Sequence, residues 1–269
     1  MSTSDTATAP DARTLQAALP DEVRRLVCRG SELARCRADR SHQTPLTTSV
    51  QALDELLGGG LPRGALVELV GSGSCGRFST LLATLQQVTD TGAPAALVDQ
   101  GSQLDPQGAA AAGIALERLL WLRPARLDDS LAAAEMLVAT GFGFVALDLG
   151  LPPVLGRPPL AAWLRLARSA VERQAVVLVG SPYRLSGCAA AVVLTGSRGR
   201  GRWSGRAGGL RLLDGLAARF GLDRRLGSEP RPGSDAVAAF TALEAAFRAP
   251  LTNHQTTTAS RRERHVQNL

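Results

Sequence analysis

The stretch Ala65-Leu-Val-Glu-Leu-Val-Gly71-Ser-Gly-Ser-Cys-Gly76-Arg77-Phe78-Ser79 decides the fold. A short apolar run reads as a strand, a glycine-rich loop follows, and Leu81, Leu82 and Leu85 then recur at helical spacing. A phosphate-binding loop reads G-x-x-x-x-G-K-[ST] in that setting. Its glycines let backbone N–H groups wrap a phosphate, and the helix N-terminus adds the positive end of a dipole. Gly71 and Gly76 have the required spacing. Gly71, Ser72, Gly73, Ser74, Cys75, Gly76, Arg77 and Ser79 are therefore the candidate nucleotide-binding residues. Two defining positions differ. Arg77 replaces the lysine, keeping the charge but not an ammonium's fit between phosphates. Phe78 replaces the metal-holding hydroxyl, and Ser79 is turned away by about 100° of helix. Phosphoryl transfer rests on positioning and charge, so efficient hydrolysis is not expected. The loop is either a weak phosphate or nucleotide site or only a tight strand–turn–helix corner.

The rest of the middle repeats that rhythm. Apolar runs at 95–99, 119–122, 144–148, 175–179 and 191–194 read as strands. Between them, 128–140 and 160–173 read as amphipathic helices. Such alternation predicts an α/β fold, a mainly parallel sheet with helices on both faces. Leu216, Ala218, Phe220 and Leu222 alternate with period two, which predicts an antiparallel edge strand. The Gly-, Ser- and Arg-rich stretch 196–209 has no period and reads as a loop, and 227–235 reads as a linker. Val237, Phe240, Leu243 and Phe247 recur at helical spacing, predicting an amphipathic helix over 236–248 that folds back or enters a partner's groove. Val23, Leu26, Val27 and Leu33 invite the same two readings. The expected organisation is a polar start and helical extension over 1–43, the α/β core over 44–227, and linker, helix and polar tail over 228–269.

Composition sets bounds. The chain has 269 residues, 45% hydrophobic and 20% charged, as globular domains do. All 30 basic residues are arginines, so chemistry that needs a lysine ammonium is excluded. His42, His254 and His265 lie outside the regular middle, which excludes a Ser-His-Asp triad or a histidine metal site in the core. Cys28, Cys36, Cys75 and Cys188 form no C-x-x-C pair, so no metal is expected. The first ten residues do not resemble a signal peptide, and no apolar run has membrane-helix length, so a cytoplasmic protein without membrane contact is expected. The net charge of +6 points to an acidic partner. Between 196 and 225, eight arginines face only Asp214 and Asp223. Arg198, Arg200, Arg202 and Arg206 with Trp203 suit a nucleic-acid backbone plus one stacked base, an acidic protein, or plain solvation.

The run Thr48-Ser-Val-Gln-Ala-Leu-Asp54-Glu-Leu-Leu-Gly58-Gly-Gly-Leu-Pro62-Arg-Gly64, then the strand and the 71–76 loop, resembles the opening of the RecA recombinase core. Ala96-Leu-Val-Asp99-Gln-Gly101-Ser-Gln-Leu104-Asp105-Pro106 resembles its next segment, and Phe144-Val-Ala-Leu-Asp148 its Walker B strand. The resemblance covers roughly 44–226 and implies a RecA-like P-loop core with added N- and C-terminal helices. It also implies that Asp148 sits behind the metal, unless it is a helix cap or ion-pair partner. Gly101 falls where active recombinases carry the glutamate that orients the attacking water. The chain looks most like the ImuA family, also called SulA-like. This implies a non-catalytic accessory factor of SOS translesion synthesis, without a required cofactor and with ATP at most a weak ligand. An ImuB-like Y-family polymerase homologue is the implied partner, with RecA, an error-prone C-family DNA polymerase and DNA as further candidates. A divergent DNA-stimulated ATPase and an SOS cell division inhibitor are the alternatives.

Overall fold

The structure, a computed structural model, describes residues 44–156, 158–205, 209, 211–226 and 235–241. In chain order the elements are α1 (Gln51–Leu56), β1 (Ala65–Gly71), α2 (Arg77–Asp90), β2 (Ala95–Asp99), α3 (Pro106–Ala111), β3 (Leu119–Leu122), α4 (Leu127–Ala139), β4 (Phe144–Asp148), α5 (Leu160–Arg173), β5 (Val176–Ser181), β6 (Val192–Gly205), β7 (Arg211–Arg225) and β8 (Asp235–Thr241). Among the described residues they build one eight-stranded sheet in the order β3-β2-β4-β5-β1-β6-β7-β8. Pairing is parallel from β3 to β6 and antiparallel from β6 to β8.

The central strands are apolar throughout because both faces are covered. Val67, Leu97, Ala146 and Leu178 point to one core with Leu53, Leu81 and Leu85 of α1 and α2. Leu66, Val98, Leu147 and Val179 point to the other, with Leu131 and Leu137 of α4 and Trp163 and Leu166 of α5. Burying one such leucine contributes about 1.5–3 kcal/mol. Asp105 caps α3 by accepting from the Gln107 and Gly108 amides, with Pro106 following as the first helical residue. Glu68 is the one charged residue in β1 and is fully buried. It accepts from the Ser181 hydroxyl (3.0 Å), the Leu185 amide (2.7 Å) and the Ser186 amide and hydroxyl, which ties the 182–190 connection to the sheet.

The expected α/β core is present, and its C-terminal third differs from the sequence reading in three ways. The stretch read as a loop over 196–209 is strand β6 as far as Gly205. Its glycines are packing residues. A Cβ on Gly196 would lie 3.2 Å from Cys75 Sγ, one on Gly199 2.6 Å from Leu216 Cδ1, and one on Gly201 2.7 Å from Trp203 Nε1. The period-two strand, β7, is antiparallel as expected but lies inside the sheet, between β6 and β8. The predicted 236–248 helix begins instead as strand β8, so the 44–227 boundary leaves out a strand of the sheet. In Ala236-Val-Ala-Ala-Phe240 nearly every position is small and apolar, so the strand's alternation is invisible in sequence. In the sheet Ala238 is buried and Val237 is 57% exposed. Leu243, Phe247, the remaining linker positions 227–234 and the helical readings at Val23, Leu26, Val27 and Leu33 lie outside the described residues.

Candidate functional site

The glycine-rich loop joins the carboxyl end of β1 to the N-terminus of α2, at the end of the parallel strands where open α/β folds place ligands. Gly76 adopts φ +80°, and a Cβ there would lie 2.7 Å from Phe240 Cε2 and 2.9 Å from Ala218 Cβ. The antiparallel strands thus brace the loop from one side. The Gly199 amide also donates to the Ser74 carbonyl at 2.7 Å. Cys75 is buried as a free thiol against Gly71 and Gly196. Ser72, Gly73 and Ser74 are exposed at the turn. Phe78 packs against the core, and Ser79 is half-buried on α2.

Arg77 is turned inward and only 7% exposed. Its Nη1 donates to the Gly71 carbonyl at 2.5 Å and its Nη2 to the Gly150 carbonyl at 2.5 Å. Its Nε lies 3.8 Å from Asp148 Oδ1. The guanidinium therefore links the start of the loop to the segment after β4. Three glycines make this lane. A Cβ on Gly180 of β5 would meet Arg77 Cγ at 3.1 Å. One on Gly101 would lie 2.5 Å from Asp148 Oδ2 and 2.6 Å from Gly150 Cα. Gly150 itself adopts φ +68° and stacks on Gly101. Leu151 then lies over the loop, 3.5 Å from the Cβ position of Gly73.

Asp148 ends β4 opposite Asp99, its register partner at the end of β2. Both are fully buried. Asp99 accepts from the Gln103 and Leu104 amides, each at 3.0 Å, and from Trp121 Nε1 at 3.2 Å. Neither oxygen of Asp148 has a hydrogen-bond partner among the described residues, nor does Arg77 Nε. Burial raises the Asp148 carboxyl to about 6; the Arg77 charge opposes the rise and Asp99 adds to it.

The sequence reading brings Gly71, Gly76, Arg77 and Asp148 together, and the structure does the same. The role of Asp99 and the Gly180 lane were missed. The sequence signal for the lane was the glycine that closes the apolar run of β5 while still inside the strand. The donor set does not fit a magnesium–nucleotide. Position 78 offers no hydroxyl, Arg77 points at protein carbonyls, and Asp148 faces Arg77 instead of the loop mouth.

The arginine cluster is not one loop but two faces of a strand. Paired residues share a face, and Arg200 and Arg202 pair with Ala217 and Gly215. Trp203 lies on the opposite face with Gly201 and Leu213, is 52% exposed, and has the Arg211 guanidinium 5.9 Å from its ring centroid. The expected combination of phosphate contacts and a stacked base on one surface is therefore split by the alternation of β6. Arg198 sits at a register shift, and Arg206 lies outside the described residues. Val237 and Phe240 are on opposite faces of β8, and Phe240 covers the loop glycine. Among the described residues no cluster of three metal-ligating side chains occurs, and no helix is long and apolar enough to cross a membrane.

The model of the RecA N-terminal domain family matches residues 13–149. RecA of Picosynechococcus sp. is 37% identical over 97 residues, covering 36% of this chain and 27% of that protein. RecA of Crocosphaera subtropica is 32% identical over 129 residues, 48% of this chain and 37% of that protein. The matched stretch thus spans about a third of the length of these relatives. The crystal structure of the RadB recombinase superposes with a TM-score of 0.53 at 18% identity, covering 71% of this chain and 94% of that one, a likeness of fold.

Proposed function

The chain belongs to the RecA N-terminal domain family, and we propose that it serves DNA repair or recombination as an accessory protein that does not turn over ATP. One observation carries this reading. The residue in the P-loop lysine position is held by Gly71, Gly150 and Asp148, the same acid that would stand behind a metal. An arginine that leaves this position gives up two charge-assisted hydrogen bonds and leaves Asp148 buried without its counter-charge. Gly101 supports the same reading, since its surroundings leave no space for a glutamate that would orient water. Within DNA repair, the finer proposal is damage tolerance beside an ImuB-like polymerase homologue, with RecA, an error-prone C-family DNA polymerase and DNA as further partners. Exposed Leu151, Leu155, Leu160, Leu164 and Tyr183, on the connections and the helix at one end of the sheet, support a protein-binding role.

The test is turnover of Mg-ATP by the full chain with and without single-stranded DNA, beside Arg77→Lys/Phe78→Thr. No turnover by the wild type supports the proposal. DNA-stimulated turnover by the wild type would return the ATPase reading. The partner is tested by co-purification with an ImuB-like protein, where absence of a complex sinks the finer reading alone.

A further inference from the structure

The antiparallel extension has one helix-covered face and one bare one. Gly199, Leu216, Ala218, Phe220, Ala238 and Phe240 look toward the P-loop and α1. The other face carries Ser197, Arg200 and Arg202 from β6, Ala217 and Arg219 from β7, and Val237 and Ala239 from β8, as the cross-strand register requires. Of β6, β7 and β8, only Val193 joins the core under α4 and α5, so among the described residues no helix of that layer covers the rest.

Charge is segregated along this face. Its acids lie toward the core and are engaged: Asp223 accepts from the Thr195 hydroxyl, and Asp235 lies 3.7 Å from Arg219 Nη1. Beyond Ser197, the described arm holds Arg198, Arg200, Arg202 and Arg211 against Asp214, which accepts from the Ser204 hydroxyl at 2.8 Å. Among the described residues no carboxylate lies within ion-pair distance of Arg198, Arg200 or Arg202. Holding exposed cations this close together, with two of the three acids drawn to the other end, favours a polyanion.

We infer that this face of the β6–β7–β8 extension binds one phosphodiester strand of single-stranded nucleic acid, with Arg200 and Arg202 as its main cations. The inference rests on the DNA-linked reading above and deepens it. Arg200 and Arg202 are two residues apart on one strand, about 7 Å, and Arg219 lies on the next strand opposite Ser197, two residues along from Ala217, the partner of Arg200. So narrow a line of charge matches a single backbone better than the two backbones bordering a duplex major groove about 12 Å wide. Ala217, opposite Arg200, and Ala239 beyond it keep the floor beside the cations low, so a sugar-phosphate chain can lie against the sheet. No aromatic side chain lies on this face among the described residues, because Trp203 is on the other. Contact is therefore to phosphates, independent of sequence and sensitive to salt.

The experiment is fluorescence anisotropy of the full chain with a labelled mixed-sequence single-stranded oligonucleotide over a salt series. Three variants are compared with the wild type: Arg200→Ala/Arg202→Ala, the charge-keeping Arg200→Lys/Arg202→Lys, and Arg168→Ala/Arg173→Ala on α5, which removes the same charge elsewhere. Thermal unfolding confirms that each is folded, and Arg200→Gln/Arg202→Gln stands in if the alanine pair is not. The alanine pair is expected to weaken binding by about ten-fold or more at low salt and to reduce the log–log salt slope by about 1.4. The lysine pair and the α5 pair stay within about two-fold of wild type. Equal loss from the α5 pair, or no loss from the arm pair, would overturn the inference. So would tighter binding of the matching duplex, or displacement by polyglutamate at equal charge, which would point to an acidic protein. If the wild type binds no oligonucleotide, this inference fails while the ATP-turnover test of the proposed function still stands.

Discussion

The parallel half of the sheet and its antiparallel extension both use glycine to make room, but for different occupants. In the parallel half, Gly101, Gly150 and Gly180 cluster at the carboxyl ends of the strands and clear a lane for one buried ion pair, Arg77 with Asp148. In the extension, Gly196, Gly199 and Gly201 run along one strand and admit Cys75, Leu216 and the Trp203 indole. The first set fixes the position of charges away from water. The second lets a strand carry arginines on its outer face while its inner face packs flat. The two meet at Gly76, whose missing side chain lets Phe220 and Phe240 press on the loop. The P-loop and the extension are therefore one packed unit.

That comparison can be broken with single substitutions. The largest effect is expected at Gly101. Gly101→Ala places a methyl 2.5 Å from Asp148 Oδ2 and 2.6 Å from Gly150 Cα, neither of which can yield easily, so a loss of about 3 kcal/mol is expected in denaturant unfolding. Gly76→Ala combines φ +80° with the Phe240 and Ala218 contacts and should cost about 2–3 kcal/mol. Gly201→Ala meets only side-chain atoms, the Trp203 indole at Nε1 and Leu213 Cδ1, both on exposed residues able to swing into solvent. It should cost about 1 kcal/mol, with a change in indole fluorescence as its signature. Equal costs at Gly101 and Gly201 would break the distinction between a fixed lane and an adjustable face.

The buried acid gives a pH signature. The folded carboxyl of Asp148, near 6, lies above its unfolded value of about 3.9, so the folded state holds the proton more tightly. The stability this supplies is full below about pH 4 and is lost as pH rises through 6. Measured against Asp148→Asn, the wild type should lose about 1 kcal/mol of stability between pH 5 and pH 8. A flat difference would mean that Asp148 finds a partner which the static geometry lacks. The smallest effect belongs to the extension's rim. Arg219 and Asp235 are exposed, and Arg219→Ala should change stability by less than about 0.5 kcal/mol.

The parallel half was legible in the sequence because its strands are buried on both faces. Runs such as Ala65-Leu-Val and Val176-Val-Leu-Val179 admit few other readings, and the glycine spacing of 71 and 76 marks the loop. The extension was not legible. Glycine erases the alternation of β6, alanine erases that of β8, and the spacing of Val237 and Phe240 fits a helix as well as a strand. Within the site, the sequence placed Arg77 and Asp148 near one another but gave no sign that the arginine would turn toward the acid. That depends on Gly180, whose position on a neighbouring strand only the folded register reveals.

Calorimetric titration of the purified chain with ATP, with and without Mg²⁺, tests the closed P-loop most directly. The account predicts no Mg²⁺-dependent binding by the wild type, because Arg77 occupies Asp148 and Phe78 supplies no metal ligand. Tight binding that requires Mg²⁺ would contradict it and show that Arg77 leaves its lane for a nucleotide.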